Sequence, residues 1–173
     1  MKKILFIVSI LFLFTSCSLI RNDRKIVNYE GKRQKLDYSK HRVYVLFSTV
    51  GCHNCHQSLN EYFEENNLYS NDSIEIIGYI GVEKGNLNNK VSRKYSLVAF
   101  NKYYPNIKKV YFSEEDKDRN IIFLSQKLPN YQVPAVISIK GDAAVFVGVS
   151  ELFQIESKRY IVNKNLKEQI LFQ

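Results

Sequence analysis

The chain has 173 residues, of which 45% are hydrophobic and 24% are charged, and its formal net charge is +8. This length suits one domain with a core large enough to fold without disulfide cross-links, and the composition is that of a globular protein. The lysines and arginines are scattered along the chain rather than grouped with aromatic residues in a basic block. The charge therefore indicates a solvated basic surface, and nucleic acid is not expected as a partner.

The N-terminus has the pattern of an export signal. Two lysines precede an apolar run over residues 4–14, and the small residues Thr15 and Ser16 follow it. A short basic region, an apolar run of about eleven residues and small residues after it are typical of a secretory signal peptide. The run is shorter than the roughly 20 residues that a membrane-spanning helix needs. We therefore predict a signal peptide over residues 1–16.

The residues that end this segment, "FTSC", resemble the bacterial lipobox, in which an aliphatic residue and two small residues precede a lipidated cysteine. Phe14 stands where leucine is usual. The resemblance implies that Cys17 carries the lipid, and a diacyl or triacyl anchor is enough for stable membrane attachment. We expect a lipoprotein of the bacterial cell envelope that faces the periplasm. Residues 17–40, polar and charged, would form its tether, with a short strand near residues 25–29, and residues 41–173 would form its folded domain.

Predicted strands and helices alternate after the tether. The run "RVYVLFS" at 42–48 is nearly all apolar, β-branched or aromatic, which is typical of a strand buried on both faces. Leu59, Tyr62 and Phe63 then form one helical stripe. Further strands are predicted at 73–82 and in "KKVYFSEED", helices at 89–104, 119–128 and about 151–171, and a β-hairpin over 133–149. This order indicates an α/β fold with a mixed sheet.

Two smaller expectations concern side chains away from the main pattern. The acidic run at 113–118 has the composition of a solvated turn. The neighbouring tyrosines Tyr103 and Tyr104 are expected to belong to the core and its rim.

The stretch "VGCHNCHQSL" at 50–59 places two cysteines at the junction of a buried strand and a helix. With Cys17 assigned to the lipid, Cys52 and Cys55 remain as a pair. Disulfides persist outside the cytoplasm, but a pair this close closes too small a loop to stabilise a fold much. The pair is therefore expected to be chemically reactive.

The position of this pair assigns a role to each cysteine. A cysteine at a helix N-terminus faces unpaired N–H groups and the positive end of the helix dipole, which both stabilise a thiolate. Cys52 lies in the first turn and is the predicted nucleophile. Cys55 lies about one turn further in, on the same side, and is predicted to resolve the mixed disulfide.

The strand, the C-x-x-C at the helix start and the Val-Pro before a hairpin together resemble the thioredoxin superfamily over roughly residues 40–171. The resemblance implies a thioredoxin-like α/β/α sandwich with a central mixed sheet. It also implies that Pro134 is cis and that Val133 offers backbone hydrogen bonds to a substrate segment. The dipeptide His53-Asn54 between the cysteines would tune the redox potential.

Two features of this chain vary within that superfamily. A strand and a helix are inserted between Cys55 and Pro134, as in TlpA-like thiol reductases, whereas DsbA-like oxidases carry a longer, all-helical insertion. No tryptophan precedes Cys52, and Leu46 stands where many thioredoxins have a buried acid. A histidine such as His53 beside the thiolate lowers the thiol pKa, which makes the site more oxidising.

Two other chemistries remain open for the motif. "CHNCH" is also the C-x-x-C-H motif of c-type haem attachment, with His56 as the axial ligand. A zinc site needs four ligands, and Cys52, Cys55 and His56 supply three at most. The dithiol interpretation alone accounts for the preceding strand and the later hairpin. Under it, no metal or other cofactor is expected, and His56 is a solvent-facing residue of the first turn.

The sequence thus favours a membrane-tethered thiol–disulfide oxidoreductase. Its expected partners are exported cysteine-containing proteins as substrates, a membrane redox protein that recycles the dithiol, and the membrane that holds the lipid. The alternative is a non-catalytic binding or assembly lipoprotein with the same fold and a structural or vestigial dithiol.

The anchor can be tested by the Cys17→Ser variant. The protein should leave the membrane fraction or accumulate unprocessed, because the lipid has no thiol to which it can attach. Fractionation and the intact mass of the mature protein measure this. Wild-type membrane partitioning and mass in the variant would contradict the lipidation of Cys17.

Overall fold

The computed structural model of the protein describes residues 26–36, 39–116, 118, 120–123, 126–128, 133–156 and 159–172. The predicted signal peptide, the predicted lipidation site Cys17 and the start of the predicted tether lie outside these residues. Within the described ranges, no helix is both long enough and apolar enough to cross a membrane.

Strands and helices alternate in the middle of the chain, from residue 42 to residue 114. Their bounds are β1 (Ile26–Val27), β2 (Arg33–Gln34), β3 (Arg42–Phe47), α1 (His53–Glu65), a 3₁₀ turn (Leu68–Ser70), β4 (Glu75–Val82), α2 (Lys90–Tyr103), β5 (Lys109–Glu114), β6 (Ile121–Phe123), β7 (Gln126–Leu128), β8 (Ala135–Lys140), β9 (Ala143–Val147), α3 (Val149–Leu152), β10 (Phe153–Glu156), β11 (Arg159–Val162) and α4 (Leu166–Leu171).

The main sheet of the described chain has seven strands in the order β2-β1-β5-β4-β3-β8-β9. β3, β4 and β5 are parallel neighbours joined by α1 and α2, whereas β8 runs antiparallel to β3 and forms a hairpin with β9. The predicted central mixed sheet, the inserted helix and strand, and the terminal hairpin are therefore confirmed. This is a thioredoxin-like fold.

β3 lies in the middle of this sheet and is buried along its whole length. Val43, Val45 and Phe47 point into a core that also holds the buried apolar residues of all four described helices. Tyr44 and Leu46 point into a second core on the other face. The strand therefore needs apolar residues at every position, which explains the continuous apolar run in the sequence.

Two helix predictions are wrong. Residues 119–128 contain the strands β6 and β7, which pair antiparallel. Ile121 and Phe123, alternate residues of β6, are buried in the second core, so the period is that of a strand. The predicted helix at 151–171 is divided into α3, the paired strands β10 and β11, and the short helix α4.

The edge of the main sheet comes from residues that the sequence analysis assigns to the tether. Ile26 and Val27 pair antiparallel with Ser113 and Phe112 of β5. The buried guanidinium of Arg93 on α2 donates to the backbone carbonyl of Tyr29 at 3.0 Å. β1, which coincides with the short strand predicted near residues 25–29, and β2 are therefore part of the main sheet, although the predicted domain begins at residue 41.

The contact between β4 and α2 depends on a glycine. A Cβ on Gly78 would lie 2.5 Å from Cζ of the fully buried Phe100 ring. The ring is enclosed by the core, so it cannot move aside without disturbing its neighbours.

Gly78→Ala should lower the free energy of unfolding by about 1–3 kcal/mol, because one extra carbon overpacks the Phe100 site. Urea denaturation measures the change. Val98→Ala is the matched control: Val98 is 62% exposed on α2, and its truncation should change stability by less than about 0.5 kcal/mol. Equal stabilities of Gly78→Ala and the wild type would contradict this account of the packing.

Candidate redox site

The two cysteines lie where β3 gives way to α1. β3 ends at Phe47, and Cys52 is the N-cap of α1, with an extended backbone at φ −73° and ψ 103°. Its Sγ accepts a hydrogen bond from the Cys55 backbone N–H at 3.3 Å. One N–H group of the first helical turn is thus directed at the sulfur of Cys52, in keeping with the position at a helix N-terminus that the sequence predicts.

Cys52 and Cys55 form a disulfide, with a Cα–Cα distance of 5.3 Å. The two sulfur-bearing residues differ in accessibility: Cys52 is half-buried, whereas Cys55 is 1% exposed and packs in the first core. A second molecule can therefore reach Cys52 and is kept from Cys55.

The Val-Pro segment lies against the active-site loop. The Val133–Pro134 peptide bond is cis, as the resemblance implies. Ala135, the next residue, pairs with Leu46 at the end of β3. A Cβ on Gly51 would come within 3.2 Å of the Val133 carbonyl oxygen. The loop that leads to Cys52 and the Val133–Pro134 segment are thus in close contact.

A buried carboxylate lies near the loop that leads to Cys52, and it belongs to a residue other than the one at position 46. Leu46 is fully buried in the second core and brings no charge to the site. The Ser48 hydroxyl instead donates to Oε1 of Glu115 at 2.9 Å and accepts from the Val50 backbone N–H at 3.4 Å. Glu115 is 3% exposed, so the prediction of a solvated turn is wrong at this residue.

His56 is fully buried, and the prediction that it faces solvent is wrong. Its ring packs against Phe47, Tyr103 and Tyr104, with centroid distances of 4.8, 5.7 and 5.6 Å. Nδ1 lies 2.8 Å from the Tyr104 hydroxyl. Burial, and to a lesser degree the nearby His53, lowers the pKa of His56 to about 3, so the ring is neutral near pH 7.

The histidine between the cysteines has a different environment. His53 is exposed, as is its neighbour Asn54. The His53 ring is stacked on Tyr103 at 5.6 Å, and its Nδ1 lies 2.7 Å from the Tyr103 hydroxyl. His53 is thus held beside Cys52 while its ring stays in contact with water.

Tyr103 and Tyr104 are site residues that the sequence analysis missed. They are half-buried and fully buried, in keeping with a place at the rim and in the core. Their contacts with the two histidines of "CHNCH" come from the end of α2, which packs beside α1. Two adjacent tyrosines before a proline, at the end of a predicted helix, are the signal that could have pointed to them.

The two alternative chemistries do not fit this arrangement. Nε2 of His56, the nitrogen expected to bind the haem iron, is instead buried against the active-site loop, where a Cβ on Gly51 would lie 3.2 Å away. For zinc, no group of three or more His, Cys, Asp or Glu side chains is placed to bind a metal in the described ranges. The arrangement fits a dithiol–disulfide couple.

The buried His56 should make stability depend on pH. Between pH 6.5 and about 3 the unfolded chain binds a proton on this ring and the folded chain does not, so the fold loses stability as the pH falls. The loss is at most about 1.4 kcal/mol per pH unit. Urea denaturation between pH 6.5 and 4.5 should give a shallower pH slope for His56→Phe than for the wild type. The control Val98→Ala changes an exposed apolar side chain and no titratable group, so it should keep the wild-type slope. Equal slopes in His56→Phe and the wild type would contradict the burial.

No protein-family model matches the sequence, and no curated protein matches it. Among solved structures, the chain is similar to a thioredoxin-like protein from Porphyromonas gingivalis, with 16% identity and a TM-score of 0.46 over 87% of this chain and 86% of that chain. It is also similar to a secreted disulfide oxidoreductase of Mycobacterium tuberculosis, homologous to E. coli DsbE, with 12% identity and a TM-score of 0.44 over 87% of this chain and 96% of that chain. At identities this low, the geometry of the dithiol site is what bears on function.

Proposed function

We propose that the protein is an extracytoplasmic thiol–disulfide oxidoreductase that exchanges disulfides with exported proteins. The observation that supports this best is the Cys52–Cys55 disulfide at the start of α1, in which Cys52 is only half-buried and the loop before it contacts the cis Val133–Pro134 segment. A disulfide that only stabilises a fold does not require a half-buried cysteine at a helix N-terminus.

The exchange takes place in two steps that balance in electrons and protons. In the oxidised protein, a substrate thiolate attacks Sγ of Cys52. An S–S bond to the substrate forms as the Cys52–Cys55 bond breaks. Cys55 leaves as a thiolate and takes up a proton. A second substrate thiolate then attacks the substrate sulfur of the mixed disulfide and releases the Cys52 thiolate. The substrate is oxidised by two electrons and the dithiol is reduced. The reverse sequence reduces a substrate disulfide.

The environments of the two cysteines support these roles. The Cys52 sulfur accepts the Cys55 backbone N–H at 3.3 Å, a contact that strengthens when the sulfur becomes a thiolate. Cys55 is enclosed by the core, so its attack is confined to the neighbouring Cys52 sulfur. His53 and Asn54, both exposed beside Cys52, are proposed to tune the potential of the couple.

The surface around Cys52 suits a polypeptide substrate. Val50, two residues before Cys52, is 48% exposed, which leaves an apolar side chain for contact with a substrate segment. The backbone of Val133 is proposed to hydrogen-bond to that segment, and Pro134 to shape the groove. Lipidation of Cys17 would hold this site at the membrane, where a membrane redox partner would restore the dithiol or the disulfide.

The roles of the two cysteines can be tested by trapping. Cys55→Ser should accumulate mixed disulfides with other proteins, because no internal thiolate remains to displace the substrate from Cys52. Cys52→Ser should trap few, since the remaining thiol is buried. Each full-length variant is expressed in its native envelope, quenched with acid and an alkylating agent, and compared on non-reducing gels. Pro134→Thr should prolong the same complexes if the proline shapes the groove.

The matched control is the double variant Cys52→Ser, Cys55→Ser, which should give no adducts that disappear on reduction. Wild-type protein should also reduce insulin disulfides at a rate that both single variants lose. Absence of adducts from Cys55→Ser under oxidising and reducing growth alike, with no insulin reduction by the wild type, would favour the non-catalytic binding lipoprotein instead.

A further inference from the structure

The imidazole of His56 has one nitrogen without a partner. Nε2 is fully buried and forms no hydrogen bond with any described residue, whereas Nδ1 is bound to Tyr104. A buried polar group without a partner costs stability, and such groups in native proteins call for an explanation. Nε2 is therefore a buried polar group whose partner the described residues do not supply in the disulfide form.

The contact with Tyr104 determines which nitrogen carries the proton. Burial raises the pKa of Tyr104 well above its ordinary value, so the hydroxyl keeps its hydrogen. That hydroxyl has no side-chain partner among the described residues besides Nδ1 of His56. If Nδ1 accepts a hydrogen bond from the Tyr104 hydroxyl, the proton of the neutral ring is on Nε2. The Nε2–H is then the one buried donor left unpaired. The other tautomer leaves both the Tyr104 O–H and the Nε2 lone pair unpaired. The first arrangement costs less, so Nε2 is a donor.

This donor points towards the active-site loop. His56 follows Cys52 by four residues on α1, and helical side chains lean towards the N-terminus, so its ring lies on the Cys52 face of the first turn. The position of Gly51 agrees, because a Cβ there would lie 3.2 Å from Nε2. In the disulfide, the Cys52 sulfur is a weak hydrogen-bond acceptor, and a thiolate is a strong one.

We propose that His56 donates a hydrogen bond from Nε2 to the Cys52 thiolate that forms when the disulfide opens, and that Tyr104 is the positioning residue that fixes this tautomer. The proposal rests on Cys52 being the exchanging sulfur of the proposed function. In the opening step, a dithiol reductant supplies two electrons, the S–S bond breaks, Cys55 takes up one proton, and Cys52 remains a thiolate. His56 neither gains nor loses a proton.

The groups that face His56 leave it neutral in this step. On its own helix the titratable neighbours are His53 and the two cysteines, and on α2 they are Tyr103 and Tyr104. β3 contributes the apolar Phe47 ring, and the Val133 segment reaches the same loop with its backbone carbonyl. Among the residues that the structure describes, no carboxylate affects the pKa of this ring. His56 therefore acts as a neutral donor, unlike an exposed histidine, which acts as a cation when it is protonated.

The test compares variants of the purified full-length protein with two measurements that need no protein substrate. The Cys52 thiol pKa is read from the pH dependence of alkylation, and the reduction potential from equilibration with glutathione buffers. His56→Phe should reduce the thiolate fraction at a fixed pH below the pKa on the order of tenfold, because a hydrogen bond to a charged group is lost. The same factor makes the potential more negative by about 30 mV.

Two further variants separate the donor from general packing. His56→Gln keeps an N–H donor and should restore most of the wild-type pKa and potential. Tyr104→Phe keeps the ring packing and should shift both values in the same direction as His56→Phe, by a smaller factor. Tyr69→Phe is the matched control, since it removes another largely buried tyrosine hydroxyl, bonded to Asn60, and should leave both values unchanged.

Wild-type values in folded His56→Phe overturn the proposal, as do equal shifts in Tyr104→Phe and Tyr69→Phe. If His56→Phe does not fold, Tyr104→Phe decides in its place, and wild-type values there overturn the proposal. The trapping and insulin experiments report separately on the proposed function. If Cys55→Ser traps substrates but His56→Phe does not shift the thiol pKa, the protein is an oxidoreductase that does not use His56. If His56→Phe shifts the thiol pKa but Cys55→Ser traps nothing, the hydrogen bond exists in a protein that does not exchange disulfides.

Discussion

The site depends on β3 being paired on both sides. β4 lies parallel to it on one side and β8 antiparallel on the other, so the strand and its end are fixed from two directions. The register that places Leu46 beside Ala135 brings the end of β3 next to the start of β8. The loop to Cys52 and the Val133–Pro134 segment therefore meet, although 79 residues of sequence separate Cys55 from Pro134. No contact made by the cysteines themselves is needed to bring these segments together.

α2 completes the site from a third direction. Its last residue, Tyr103, and the following Tyr104 contact the two histidines of the cysteine motif, one exposed and one buried. Two histidines three residues apart on one helix thus differ in their exposure to water. His53 is exposed to water, whereas His56 is neutral near pH 7 because protein surrounds it. The two histidines therefore approach the dithiol from different surroundings, one from the solvent side and one from the interior.

Local patterns sufficed for the parts of the fold that local chemistry decides. The continuous apolar run of β3 fits a strand buried on both faces, and the stripe of α1 fits one face of a helix. Two apolar runs joined by a tight turn predict the hairpin of β8 and β9. The stretch at 151–171 was predicted wrongly because Val162, Leu166 and Ile170 are spaced by four, yet Val162 ends a strand. The burial of His56 could not be predicted from the residues near it in the sequence. Two of the rings that cover it come from the end of α2, and the sequence pattern does not specify how α2 packs. The buried Glu115 was missed for the same reason, because Ser48 and β4 enclose it.

The pairing of β1 with β5 would also limit how far a lipid-anchored domain could range from a membrane. A chain of the length of residues 17–40 spans at most roughly 80 Å, whereas one of the length of residues 17–25 spans at most roughly 30 Å. If Cys17 carries the lipid, β1 stays within that shorter distance of the bilayer surface. The dithiol then searches a thin layer rather than the whole compartment, and its effective concentration is high for proteins at the membrane and low for those that diffuse away from it. With the lipid in place, the pairing of β1 would thereby restrict which thiols and disulfides the site meets.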